Sequence, residues 1–443
     1  MTARMVVVGG GLAGLTAACD LADRGFRVTL LESRARLGGA TFSFDRDGLA
    51  VDNGQHVLLR CYSEYRGLLA RLGAADGIEL QDRFRVPVIA PDGTLTELTR
   101  TGGPAPLHLA AGLARYRALS RTDRMRVVLA ATALRRLDPA DARLDERSFG
   151  DWLARHGQND ATLAALWNLI AVAALNCEAG QASLALAAMV FRTALLDKAD
   201  AADIGVPRVP LDELHARPAE KYLTARDATV RTRSPVRGIA RDGEGFVLRL
   251  DGERLRADGV VVAAPPDAAA ALCPAGAGLS AERLRGLGAA PIVNVHVVFD
   301  RPVTDLPFAA AVSSPVQWIF DRTAVAGLDH GQYLTISLSA AARWLGTPAP
   351  RLRETFVAEL GRLLPAASGI SPARFFVTRE RRATFRQGPG TGRLRPESAT
   401  GLPGLALAGA WTATGWPDTM EGAVRSGHRA ADLVTRHVAG GVA

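Results

Sequence analysis

Hydrophobic positions along this chain follow two rhythms. Some segments are short and apolar without alternation: residues 5–8 (MVVV), Arg27–Leu31, the VVVAA run within 258–265 and the LALA run within 404–409. Such runs mark strands buried on both faces of a parallel sheet. Between the first two, residues 15–24 have helical spacing that stops at Gly25. Elsewhere the pattern alternates or is rich in β-formers, over 291–300, 317–320, 333–339 and 374–380. That predicts an antiparallel sheet, with a helix over 351–364 between the last two segments. Short strands are expected at 229–230, 236–239 and 246–250, and Asp47-Gly48 and Asn53-Gly54 predict tight turns. Three stretches have helical length: an arginine-rich one over 107–137 and two apolar ones, 161–176 and 182–196. Asp418-Thr419-Met420-Glu421 fits a capping box opening a helix to about residue 438.

Buried parallel strands thus occur at both ends and in the middle of the chain, with antiparallel segments between them. The expected fold is α/β. A Rossmann-like domain is assembled from residues 1–80, 205–285 and 390–443. An interleaved α+β domain, with an antiparallel sheet and helices, takes 81–204 and 286–389. A length of 443 residues suits two such domains better than one core.

Composition narrows the function classes. Hydrophobic residues make up 48% and charged residues 22%, a globular balance. The net charge is +8, and Lys198 and Lys221 are the only lysines. There is no basic tail and no basic run interleaved with aromatics, so nucleic acid is not an expected partner. The arginine-rich stretch around Tyr116 and Met125 suits either an anionic bilayer surface or a solvated helical face. The four cysteines are scattered without CxxC or Cys/His spacing, so neither a metal site nor a disulfide framework is expected. A reducing, cytoplasmic setting fits, with peripheral contact to the inner face of the cytoplasmic membrane. No run of about 20 apolar residues predicts a membrane span, and the N-terminus does not read as a signal peptide.

The chemistry begins at VVVGGGLAG. Gly9, Gly11 and Gly14 complete a GxGxxG between a strand and a helix, with Leu12 and Ala13 in the first helical turn. Gly9 serves a tight turn, Gly11 a close approach of backbone to pyrophosphate, and Gly14 close packing of helix on strand. Glu32 closes the second strand at the spacing that suits ribose hydroxyls. This segment predicts a dinucleotide site.

The continuation, ESRARLGGA, places Arg34, Arg36, Gly38, Gly39 and Ala40 directly after the acid. It resembles the GG motif of the amine oxidase and phytoene desaturase superfamily, whose cofactor domain is of the GR2 type. The resemblance implies FAD. It also implies a backbone contact from Val236 to adenine, and flavin contacts from Gly409 and from the helix start at Met420 and Glu421. An acid that many relatives place after the strand glycine is here Ala410. VDNGQHVL, RERRATF and AGAWTATGWPDTMEGAVRSG together resemble the hydroxysqualene dehydroxylase family over the whole chain. That likeness implies an apolar polyisoprenoid or triterpene substrate and reductive loss of an allylic hydroxyl. It names no electron donor. His56 is the candidate proton donor, or a hydrogen-bonded loop histidine. Asn53, Trp411 and Trp416 are substrate candidates, with packing the alternative for the tryptophans. The small side chains of 161–176 and 182–196 suit core helices or the lining of an apolar tunnel. Competing functions on this fold are a carotenoid desaturase, an amine or protoporphyrinogen oxidase, and a non-redox prenyl-protein escort module. The intact Gly11, Glu32 and Gly39 argue against the last.

Overall fold

The computed structural model describes residues 2–440. Five strands form a parallel sheet in the order Thr229–Arg231, Arg27–Leu31, Arg4–Val8, Gly259–Val262, Leu405–Leu407. The unalternating pattern has a plain cause. Met5 and Val7 pack against helices Leu12–Asp23 and Met420–Gly440, together with Leu15, Val261 and Val434. Val6 and Val8 point the other way, into a core with Phe246 and Leu248. Those two belong to an antiparallel meander, Gly238–Asp242, Gly245–Leu250 and Glu253–Ala257, that covers the opposite face. Both faces are dry, so both sets of side chains are apolar.

The second sheet has seven strands, in the order Arg374–Thr384, Ala290–Phe299, Gln332–Leu338, Trp318–Asp321, Phe308–Ala311, Arg85–Ile89, Leu95–Thr99. The four segments expected to be antiparallel are so. The sheet extends further, because Phe308–Ala311 pairs in parallel with Arg85–Ile89 and joins a hairpin that local pattern did not reveal. Helix Ala349–Leu363 seals one face through Leu352, Phe356 and Leu360.

The arginine-rich stretch is not one helix. It divides into Ala110–Arg115 and Arg121–Arg135. At the break Tyr116 turns fully inward, and its hydroxyl donates to Ala165 O at 2.7 Å. Ser120 restarts the helix by accepting from Asp123 N at 3.1 Å, an N-cap that the apolar spacing masked. Asp47 and Gly48 both adopt positive φ, 53° and 80°, in the turn between Ser43–Arg46 and Leu49–Asp52, as the Asp-Gly pair predicted.

Candidate active site

The glycine loop is built by close approach. Gly9 has φ +110° and donates its N–H to Leu31 O at 2.8 Å. A Cβ on Gly9 would overlap Ala263 O, and one on Gly14 would overlap Gly9 O. Gly38 N–H donates to Gly10 O at 2.8 Å and folds the second glycine pair over the first. A Cβ on Gly39 would lie 2.7 Å from Gly11 Cα. Gly11 differs. A Cβ there would meet only Gly39 Cα, at 3.6 Å, and otherwise open space. Among the described residues, the N–H groups of Gly11, Ala13, Gly39 and Ala40 donate to no protein group. They sit at the positive end of the 12-residue helix Leu12–Asp23, with Leu12 packed beneath. Free N–H groups at a positive helix end suit a bridging phosphate pair.

Around it, the buried Glu32 carboxylate accepts from Gly10 N and Arg34 N, both at 2.7 Å, and from Ser33 Oγ at 3.1 Å. The Arg34 side chain is exposed, whereas Arg36 is half-buried, stacks 3.2 Å over Phe42 and donates to Gly39 O at 3.3 Å. Ser234 N donates to Glu32 O at 2.9 Å, bringing the next segment alongside the acid. Two residues on, Val236 leaves its N–H and C=O unpaired among the described residues. Open space over Gly11, unpaired amides and a fixed acid are what an adenine dinucleotide requires.

The C-terminal segment closes this region, with corrections to the expected roles. Gly409 has φ +146° and donates to Ser426 Oγ at 2.7 Å. Trp411 is not a substrate wall. It is buried behind the loop, donates Nε1–H to Ala264 O at 3.2 Å, and packs with the meander side of the sheet. Asn53 is likewise committed. Its amide donates to Ala40 O at 2.9 Å and Glu380 Oε1 at 3.2 Å, and accepts from Phe42 N at 3.1 Å. The expected capping box does not form. Thr419 Oγ1 accepts from Gly422 N at 3.2 Å, while the fully buried Glu421 carboxylate reaches across to Tyr65 N at 2.9 Å and Glu64 N at 3.2 Å. It caps helix Ser63–Arg71, a long-range demand invisible locally, and cannot also turn its carboxylate to a cofactor. Met420 is buried beside Leu12 and Tyr65, so these two residues keep only backbone for a ligand.

Trp416 lines an apolar cavity with Leu59, Tyr62, Ala174, Met189 and Ala194. Its ring meets Tyr62 edge-on at 5.8 Å, and Arg425 lies 4.8 Å over it. The small residues of the two apolar helical runs therefore do face a void, next to the loop that carries Pro417 and Thr419.

His56 and Asp418 lie deep in the molecule yet keep accessible surface, as groups lining an internal cleft do. Burial, then the Arg322 charge, pushes the His56 imidazole down to about 4, so it is neutral at pH 7. Nearby His215 is fully buried, pushed down to about 3 by the same desolvation, and shares its Nε2 with Tyr65 OH at 2.5 Å. Asp418 moves the opposite way. Burial pushes its carboxyl up to about 6, against the Phe385 N–H and the Arg395 charge. By its sequence Asp418 is only a helix cap; that its carboxyl has no cation within salt-bridge reach among the described residues is a tertiary fact.

With the geometry in place, likeness to known proteins becomes informative. The family model of flavin-containing amine oxidoreductases matches residues 12–435. A hydroxysqualene dehydroxylase of Sinorhizobium fredii is 32% identical, over 96% of this chain and 97% of that protein. A chloroplast zeta-carotene desaturase of Arabidopsis thaliana is 25% identical, over 97% of this chain and 85% of its own length. Among solved structures, cyclohexylamine oxidase from Brevibacterium oxydans superposes with a TM-score of 0.71 at 19% identity, covering 99% and 100% of the two chains. The chain is an FAD-dependent oxidoreductase that resembles the hydroxysqualene dehydroxylases, and it belongs to the flavin-containing amine oxidoreductase family.

Proposed function

We propose that the protein reduces hydroxysqualene to squalene. The carrying observation is the apolar cavity bounded by Ala174, Met189, Ala194 and Trp416, about 300 Å³ of empty space that seats part of a polyisoprene chain on the tail loop beside the flavin cradle. The reading assigns residues 81–204 and 286–389 to holding the chain-like substrate, and Gly11, Glu32, Arg36, Gly39 and Val236 to holding FAD. Reduced FAD, when bound, supplies a hydride. The residues do the rest. Apolar walls align the polyisoprene chain and exclude water. Trp416 and Tyr62, on the cavity wall, are the aromatic groups that would stabilise charge developing as an allylic C–O bond breaks. His56, neutral in the cleft, offers an N–H that orients the hydroxyl.

A substrate of this kind lives in membranes, and one surface suits that source. Five large hydrophobic side chains are exposed among the described residues: Leu95, Leu107, Met125, Val128 and Leu129. Met125, Val128 and Leu129 form an outward stripe on helix Arg121–Arg135 and are 62%, 43% and 65% accessible. Arg115, Arg117, Arg121 and Arg136 flank them with no carboxylate partner among the described residues. Helix Leu184–Phe191, whose Met189 lines the cavity, packs directly behind. No described helix is long and apolar enough to cross a membrane. The reading is therefore peripheral docking onto anionic lipid.

The test is an anaerobic incubation of dithionite-reduced holoenzyme with hydroxysqualene, and separately with a carotene precursor, products read by mass spectrometry. Squalene is the expected product. Desaturation of the carotene precursor alone, and only with oxidised flavin, would replace this reading by the desaturase one, which the zeta-carotene desaturase relatives favour. For docking, Met125→Glu/Leu129→Glu protein should lose sedimentation with anionic vesicles while keeping its melting temperature. Unchanged sedimentation would refute the surface.

A further inference from the structure

Resting on the hydroxysqualene reading, we propose that Asp418 is the general acid that protonates the departing hydroxyl. Its geometry is that of a held proton donor. Oδ2 accepts from Phe385 N at 2.9 Å, which fixes the carboxyl plane, and no protein donor engages Oδ1 among the described residues. The backbone N–H donates to Gln387 Oε1 at 3.0 Å, and Gln387 is fully buried, so the loop is anchored on that side too. Pro417 and Thr419, the residues on either side, line the apolar cavity, and Asp418 between them keeps accessible surface. The charged group facing Asp418 is Arg395, whose Nε and Nη2 are engaged elsewhere. It donates to Thr412 O and Ala410 O at 2.9 Å and to Thr414 Oγ1 at 2.9 Å, and forms no ion pair with Asp418. Asp145 acts on Arg395 rather than on Asp418. A carboxyl that is desolvated, hydrogen-bonded at one oxygen and unpaired by any cation keeps its proton to higher pH than a surface aspartate.

The step balances simply. The Asp418 O–H bond breaks and its proton goes to the hydroxyl oxygen. The allylic C–O bond breaks, its electron pair leaving with water. Carbon is left two electrons short, a deficit filled by hydride from the reduced flavin. The aspartate is then reprotonated from solvent. His56, already neutral, orients the hydroxyl and does not supply the proton.

The test uses prereduced holoenzyme in single turnovers with two substrates: hydroxysqualene and its acetate ester, whose leaving group needs little protonation. For the wild type, the alcohol rate should fall about tenfold per pH unit above roughly pH 6, while the ester rate stays flat. Asp418→Asn keeps an acceptor for Phe385 N but has no acidic proton. It should lose about 10²–10³-fold on the alcohol and less than about threefold on the ester. A wild-type-minus-Asp418→Asn infrared difference spectrum of the holoenzyme should show a carboxylic C=O band that titrates near pH 6. Equal losses on both substrates would mark a structural role and overturn the proposal, as would an undiminished alcohol rate. If wild-type enzyme reduces neither substrate, the function reading fails with it. The infrared titration still reports separately whether Asp418 holds a proton.

Discussion

Gly11 and Gly14 lie three residues apart in one motif, yet the structure gives them different jobs, and alanine at each position separates those jobs. A Cβ on Gly14 would fall inside the contact distance of Gly9 O, backbone against backbone, with Ala263 Cβ 3.1 Å away on the other side. Neither neighbour is a flexible tip. The sheet and helix must part, at a cost of about 1–3 kcal/mol or more. A Cβ on Gly11 has room, since its nearest neighbour is 3.6 Å away and φ is an ordinary −79°. Apo-protein stability should change by less than about 1 kcal/mol, the usual span for an N-cap glycine replaced by alanine. That methyl group, however, occupies the space where phosphate must approach the free N–H groups of Gly11 and Ala13. Losing two charge-assisted hydrogen bonds at about 1.5–3 kcal/mol each weakens FAD binding by about 3–6 kcal/mol, or about 10²–10⁴-fold in Kd. The assay is calorimetric titration of apo-protein with FAD, alongside denaturant unfolding of the same samples. Gly11→Ala should unfold like the wild type and bind FAD poorly, whereas Gly14→Ala should fail at both. If Gly11→Ala binds FAD with wild-type Kd, the phosphates do not lie over this turn. If Gly14→Ala apo-protein is as stable as the wild type, the close-approach argument is wrong.

Two further substitutions test the framework. Glu421→Ala strips the acceptor from Glu64 N and Tyr65 N and a partner from Arg425, so thermal unfolding should show a loss of about 2–4 kcal/mol. An unchanged melting temperature would mean those amides find other acceptors. Arg322 and Asp52 form a buried pair at 2.6 Å, with side chains 5% and 4% accessible. Arg322→Met alone should cost about 3–5 kcal/mol by leaving the carboxylate unpaired, while Arg322→Met/Asp52→Leu should recover much of it in urea unfolding. A double variant no better than the single one would refute desolvation as the main cost.

The cofactor half of the protein was legible because its signals are local. Strand, glycine turn, helix and acid fall within thirty residues, and glycines at 9, 14, 38 and 39 mark where backbone meets backbone, a constraint that leaves no freedom in residue type. The unalternating strands announced a sheet covered on both faces, and the structure shows helices on one side and a β-meander on the other. The side chains of the tail were not legible, for the opposite reason. Asp418, Thr419 and Glu421 make a plausible cap by spacing, but their partners are Phe385, Gly422 and the start of helix Ser63–Arg71, the first and last of them far away in the chain. Trp411 and Trp416 look alike in sequence, yet one packs behind the sheet at Ala264 and the other against Tyr62 at the cavity. Sequence by itself determined the backbone of the dinucleotide site, since steric rules act between near neighbours. Burial, the free oxygen of Asp418, the neutrality of His56 and the choice between the two tryptophans were decided only by the tertiary structure, because each depends on which distant groups close around a side chain and remove its water.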